Sequence, residues 1–168
     1  RRASVALPTI DASVAIKWIV DETDSARARS LLPPSIGGEV VAEHVLISPV
    51  FVLLETHYVL AKRLNKSEIM PEQLTSATTM LRHFLALAPV DEQLVEEAEA
   101  ISKSAQPTAA SNLVLQPYNI YDCVYLALTR RLDATLVTAD RRQLDVAIRM
   151  GIKGEFLAGY GVPRPPSE

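Results

Sequence analysis

The amino-acid sequence predicts an α/β fold, a mainly parallel sheet covered by helices, and three observations predict it. Short apolar runs recur at Val5–Ile10, Val45–Ser48, Leu87–Val90, Thr135–Thr138 and Ile152–Leu157. The segments between them are longer and carry apolar residues at helical spacing. The first and fourth runs lead to an acid, Asp11 and Asp140, where a helical pattern begins. Strands that alternate with helices form parallel sheets, because each crossover returns the chain to the same end of the sheet.

Taken in order, Val5–Ile10 is expected to be the first strand and Ala12–Val20 a short helix with Val14, Trp18 and Ile19 on one side. Asp21–Leu32 reads as a second helix, because Asp21, Glu22 and Asp24 suit a helix N-terminus and Pro33-Pro34 ends it. Ser35–His44, with Gly37-Gly38, reads as a loop. After the strand at Val45–Ser48, Pro49 suits the first position of a helix over Val50–Leu64. That helix is apolar almost all round, so it is expected to be deeply buried or part of a subunit interface. Pro71–Leu85 places Leu74, Ala77, Thr78 and Leu81 on one face, and Leu87–Val90 is a third strand. Asp91 can cap the next helix, whose stripe is Leu94, Val95, Ala98 and Ile101. Lys103–Tyr118, with Pro107 and Pro117, reads as a long loop. Asn119–Leu132 is helical, Thr135–Thr138 the fourth strand, Asp140–Met150 the last helix and Ile152–Leu157 the fifth strand. One domain over residues 1–168 is expected, with a core of about 5–157 and a Gly- and Pro-containing tail over 158–168.

Composition narrows the function classes. Hydrophobic residues at 48% and charged residues at 22% exclude a disordered chain. A net charge of −3 argues against a protein that coats nucleic acid non-specifically, yet leaves room for an acidic site whose sign a bound metal reverses. The single cysteine, Cys123, excludes an intramolecular disulfide framework and fits a reducing, cytoplasmic setting. No apolar run approaches the roughly 18 residues of a membrane span. Pro8 and Asp11 leave the N-terminal apolar stretch too short for a signal peptide.

Four acids carry the functional argument. Asp11, Asp122 and Asp140 each suit a helix start, and capping alone is a sufficient reason for any one of them. Glu55 is harder to explain that way, since its neighbours three and four residues away are Phe51, Val52, Tyr58 and Val59. Asp122 is similarly set among Tyr118, Tyr125 and Leu126, and neither acid has Lys or Arg within helical reach. Asp11 and Asp140 follow strands, and Asp122 opens a helix that feeds the fourth strand, so all three fall on one sheet edge. Glu55, about two turns into its helix, can lean over that edge. Four carboxylates within about 4 Å would repel by on the order of 4 kcal/mol per pair at a protein-like dielectric. Such a cluster stays ionised only around cations. All-oxygen donors select hard ions, Mg²⁺ or Mn²⁺, and the expected chemistry is phosphodiester cleavage by metal-activated water. A zinc site is not indicated, because His44, His57 and His83 lack paired spacing and Cys123 is alone.

Ile10-Asp11-Ala12-Ser13, Glu55 in its apolar helix, Tyr121-Asp122-Cys123-Val124-Tyr125-Leu126-Ala127 and Leu136-Val137-Thr138-Ala139-Asp140 resemble PIN-domain nucleases. The likeness is greatest to VapC-like toxins of type II toxin–antitoxin pairs and runs from about Val5 to Leu157. The resemblance implies a three-layer α/β/α fold with a five-stranded parallel sheet of order 3-2-1-4-5. It implies Mg²⁺- or Mn²⁺-dependent endoribonuclease activity, a homodimer and a small antitoxin partner. Asp11, Glu55, Asp122 and Asp140 match the acidic quartet, as metal ligands and catalytic groups; Ser13 and Thr138 match the supporting hydroxyls; Arg141 and Arg142 are in place to touch RNA phosphate. The antitoxin is expected to lay an apolar segment near Trp18, Ile19 and Val20. The loops at 34–44 and 103–118 depart from the usual pattern by their length.

Competing readings are a PIN-fold nuclease that is not a toxin, a non-catalytic PIN-like binding protein, and a phosphoaspartyl domain. A dehalogenase-type phosphatase needs an acid where Ser13 stands, and a receiver domain needs acids where Thr9 and Ile10 stand.

Overall fold

The computed structural model describes residues 7–32, 35–36, 39–40, 45–105 and 118–161. The chain runs β1 (Pro8–Ile10), α1 (Ala12–Ile19), α2 (Ser25–Arg29), β2 (Ser35–Ile36), β3 (Glu39–Val40), β4 (Leu46–Pro49), α3 (Val52–Asn65), α4 (Pro71–Phe84), β5 (Leu85–Ala88), α5 (Glu92–Ser104), α6 (Ile120–Arg131), β6 (Thr135–Thr138), α7 (Arg141–Arg149) and β7 (Gly154–Phe156). The main sheet is parallel throughout, with order β5-β4-β1-β6-β7. Counting its strands in chain order, this is the expected 3-2-1-4-5. Helices flank the sheet: α1 packs with α2, α3 and α4, while α6 packs on α5 and reaches β1, β4 and β6.

The strand order puts β1 at the centre, with Thr9 beside Ile47 of β4 and Ile10 beside Val137 of β6. Ile10, Leu136 and Val137 are fully buried, as a strand covered on both faces requires. Helix α6 is buried over seven consecutive residues, Cys123 to Thr129, because it lies against the sheet on one side and α5 on the other. Among the described residues no helix is long and apolar enough to cross a membrane.

Several boundaries differ from the sequence expectation. Pro49 ends β4 rather than opening α3, so the helix begins later and Glu55 sits in its first turn. Helix α3 is amphipathic: Val52, Leu53, Thr56 and Leu60 are buried, whereas Leu54 is 75% and Tyr58 61% exposed. Helix α2 keeps only five residues, Ser25–Arg29, since Asp24 before it takes a left-handed conformation at φ 67°. Ser35–Ile36 pairs antiparallel with Glu39–Val40, where a loop was expected. The third main-sheet strand starts earlier, at Leu85, and Val95 leaves the stripe of α5, whose buried residues are Leu94, Ala98, Ile101 and Ser102. The capping role of Asp91 is present, with Leu94 N–H donating to its Oδ1 at 2.7 Å. The Pro33-Pro34 stop, His44 and most of the 103–118 loop lie outside the described residues.

Trp18 and Val20 are buried at 3% and 6% exposure, and the Trp18 indole donates to the Ala28 carbonyl at 2.9 Å. The chain's own α2 thus covers the surface where an antitoxin segment was expected. Below it, Glu22 accepts from Lys17 of α1 at 2.8 Å and from Arg63 of α3 at 2.6 Å. Burial pushes the Glu22 carboxyl up, but the two cations outweigh it and hold it below its ordinary value of 4.5.

Candidate active site

The C-terminal edge of the central strands is where α/β sheets leave a crevice, at the point where the chain winds off in both directions. Asp11 stands there, directly after β1, and caps α1 by accepting from Val14 N–H at 3.0 Å. The same Oδ1 accepts from Ser13 Oγ at 2.7 Å, and Oδ2 accepts from Thr138 Oγ1, at the end of β6, at 2.6 Å. Ser13 Oγ in turn accepts from Ala139 N–H at 2.9 Å, and Thr138 Oγ1 from Asp140 N–H at 2.9 Å. The β1–β6 pairing therefore delivers the Thr138 hydroxyl to Asp11, while Ser13 reaches it from the first turn of α1. Asp11 is 3% exposed. Burial pushes its carboxyl up to about 6, against the lowering effect of Thr138, Ser13 and Val14 N–H, with the Glu55 charge adding to the rise.

Asp140 caps α7: its Oδ1 accepts from Arg142 N–H at 2.8 Å and Gln143 N–H at 3.3 Å. Glu55 projects from the first turn of α3 and is half-buried, its carboxyl raised by burial and lowered in part by one donor, the Tyr125 hydroxyl at 2.9 Å. Asp122 is in the first turn of α6. Burial, then the charges of Glu55, Asp140 and Asp11, push it up to about 7. Asp11 and Asp140 follow the adjacent strands β1 and β6, and Glu55 and Asp122 stand in the first turns of α3 and α6, so the four acids lie at one edge of the sheet. Among the described residues, no ion pair involves any of the four.

The donor set suits a hard divalent cation, being all carboxylate and hydroxyl oxygen with its negative charge uncompensated by Lys or Arg. The four acids do not form a closed cage, since among the described residues no three acids, His or Cys are grouped closely enough to enclose an ion.

The arginines behave differently from each other. Both are exposed, but Arg141 lays its guanidinium over the Phe156 ring at 4.3 Å, at the end of β7. Three residues beside the acids were not singled out from the sequence. Gln143 is 1% exposed, places Oε1 3.0 Å from Thr138 Oγ1, whose proton goes to the closer Asp11, and donates from Nε2 to the Asp122 carbonyl at 3.4 Å, so it bridges β6 and α6. The signal in the sequence is its place three residues after Asp140, the spacing of a capping box. The Tyr118 hydroxyl is buried beside Asp122, its pKa raised by burial and by the charges of Asp122 and Asp140. Tyr125 lies one turn after Asp122, and its phenol is raised well above 10 by burial and by the Glu55 and Asp11 charges, so it remains a proton donor to Glu55.

A family model for the PIN domain matches residues 9–149. No curated protein matches the chain by sequence. Among solved structures, the chain is similar to the VapC20 toxin of Mycobacterium tuberculosis, described as sarcin-ricin loop cleaving, with TM-score 0.58 and 18% identity over 94% of this chain and 99% of that one. It also matches a domain of a functionally unknown protein from Methanocaldococcus jannaschii, with TM-score 0.46 and 16% identity over 98% of this chain and 97% of that one.

Proposed function

We propose, from the premise that this chain belongs to the PIN domain family, that it is a divalent-metal-dependent endoribonuclease and the toxin of a toxin–antitoxin pair. Members of the family are nucleases. The observation that carries the reading is a set of four acids from four elements, Asp11, Glu55, Asp122 and Asp140, gathered at one sheet edge with no cationic side chain to balance them among the described residues. These four would hold Mg²⁺ or Mn²⁺. When bound, such an ion lowers the pKa of water and offsets charge that grows on the phosphate and the leaving oxygen.

The chain's own residues do the rest. Ser13 and Thr138 aim the Asp11 carboxylate, using both of its oxygens. Asp140 Oδ1 caps α7, and among the described residues Oδ2 receives no hydrogen bond. Arg142, exposed beside Asp140, is placed to meet phosphate and hold the RNA strand against the acidic edge. The homodimer reading is supported by an apolar face next to the acids, where Leu54 is 75%, Tyr58 61% and Tyr121 61% exposed. The toxin reading draws on the fold shared with VapC20; an antitoxin would act in the cytoplasm, by masking the acidic edge.

The test is cleavage of total RNA by wild type and Asp11→Asn, in Mg²⁺, Mn²⁺ or chelator, with the ends mapped. Wild type is expected to cut only with metal, and Asp11→Asn to be inert. Cutting that persists in chelator would sink the metal reading. A fully folded, metal-binding protein that cuts no RNA would leave a non-catalytic PIN-like binder. Harmless expression of active protein in a host without antitoxin would remove the toxin role.

A further inference from the structure

Glu55 differs from the other acids in how it is held. Asp11 has three donors, Ser13 and Val14 in its own following turn and Thr138 across from β6, and Asp140 has two in its following turn. Glu55 is three rotatable bonds from its helix and, among the described residues, receives one hydrogen bond, from Tyr125 at 2.9 Å across a sequence separation of 70 residues. A flexible carboxylate with a single tether is positioned by that tether.

Tyr125 is itself rigid. It is 1% exposed, and its ring meets Phe51 edge-to-face with centroids 5.0 Å apart and planes at 68°. Phe51 is the N-cap of α3, four residues before Glu55, while Tyr125 lies three residues after Asp122 on α6. The phenol thus spans from the helix that carries Asp122 to the helix that carries Glu55, with its ring braced on the latter. One hydroxyl therefore links two helices, each of which supplies an acid.

We infer that Tyr125 is a positioning residue, whose hydroxyl sets the Glu55 carboxylate where it can share a divalent ion with Asp122 and Asp11. The inference rests on the metal-nuclease reading above. Groups that orient metal ligands from behind typically change metal affinity by about 10–100-fold when removed. Packing alone would predict something else, since Tyr125→Phe keeps the ring and its Phe51 contact.

The experiment compares wild type, Tyr125→Phe, Glu55→Gln and the double variant by Mn²⁺ titration calorimetry, with melting in chelator as the fold control. The expected result is a melting temperature within a few degrees of wild type and Mn²⁺ affinity lowered about 10-fold in Tyr125→Phe. The double variant should bind no more weakly than Glu55→Gln alone, because Tyr125 acts through Glu55. A crystal structure of metal-free Tyr125→Phe should show the Glu55 carboxylate displaced or spread over several rotamers. If wild type and Tyr125→Phe bind Mn²⁺ equally, or Glu55 stays put without the hydroxyl, the positioning role is overturned and the acid quartet stands. If wild type binds no Mn²⁺ at all, the metal reading falls, and this role falls with it.

Discussion

Helices α1 and α3 each present opposite chemistry at their two ends. At their N-terminal ends stand Asp11 and Glu55, buried or half-buried carboxylates with no cation paired to them among the described residues, both raised in pKa. Towards their C-terminal ends stand Lys17 and Arg63, both bonded to Glu22, whose pKa is lowered. The same two helices thus hold one acidic cluster that is electrostatically incomplete and one that is closed. A carboxylate flanked by two cations contributes to stability. Carboxylates gathered without a cation cost stability. The contrast separates the part of this fold that holds two helices together from the part where the proposed metal would bind.

The largest effect should come from the incomplete end. Asp122→Asn keeps shape and removes one of the mutually repelling charges, so Mg²⁺-dependent RNA cleavage should fall by about 100-fold or more. Its stability should move the other way. Asp122 is pushed from 3.8 to about 7, and each pKa unit corresponds to about 1.4 kcal/mol. The metal-free variant should therefore unfold at higher denaturant, by about 1 kcal/mol or more. Urea melts in chelator measure this, and a less stable Asp122→Asn would break the contrast. The closed end should respond in reverse. Glu22→Gln leaves Lys17 and Arg63 with one poor acceptor and should cost about 1–2 kcal/mol, while cleavage stays within about twofold of wild type.

How much of this was legible before the fold was known follows the range of each interaction. Asp11 and Asp140 could be read because strand, acid and helix are contiguous, and capping is a matter of two or three residues. Glu55 could be suspected because its own helix surrounds it with apolar residues. The strand order needed the PIN resemblance, since apolar runs do not say which strand is central. Pro49 was misread for a physical reason: the residue suits both a helix start and the last position of a strand, and pairing with Ala88 of β5 decides it. Tyr125 and Gln143 could not be assigned, because their partners lie 70 and 21 residues away and meet only through the parallel crossovers. Tyr125 was visible merely as an apolar neighbour of Asp122. The Lys17–Glu22–Arg63 cluster was hidden likewise, 41 residues separating Glu22 from Arg63.

Acid titration sharpens the comparison further. The folded-state pKa of Glu22 lies below its ordinary value of 4.5. Its contribution is therefore complete above the ordinary value and disappears as pH falls through the folded-state value. Wild type should lose stability across that acid range more steeply than Glu22→Gln, measured as melting temperature against pH in chelator. Parallel curves would mean that the two cations are as well solvated without Glu22 as with it.

The smallest effect concerns how an acidic edge attracts a polyanion. Arg141 and Arg142 follow Asp140, yet only Arg142 is free of a ring contact; Arg141 is laid on Phe156. A guanidinium over an aromatic face gains roughly 0.5–1 kcal/mol at an exposed site and is held away from other partners. Arg142→Ala should then weaken binding of a cleavage-resistant RNA by about threefold, and reduce the dependence of log affinity on log salt by about one phosphate contact. Arg141→Ala should change RNA affinity less, while lowering stability by a few tenths of a kcal/mol through Phe156. Fluorescence anisotropy at several salt concentrations, in Ca²⁺ to occupy the acids without supporting turnover, distinguishes the two. An equal loss from both variants would mean that Arg141 leaves its ring when RNA arrives, and that the pair acts together as one phosphate clamp beside the four acids.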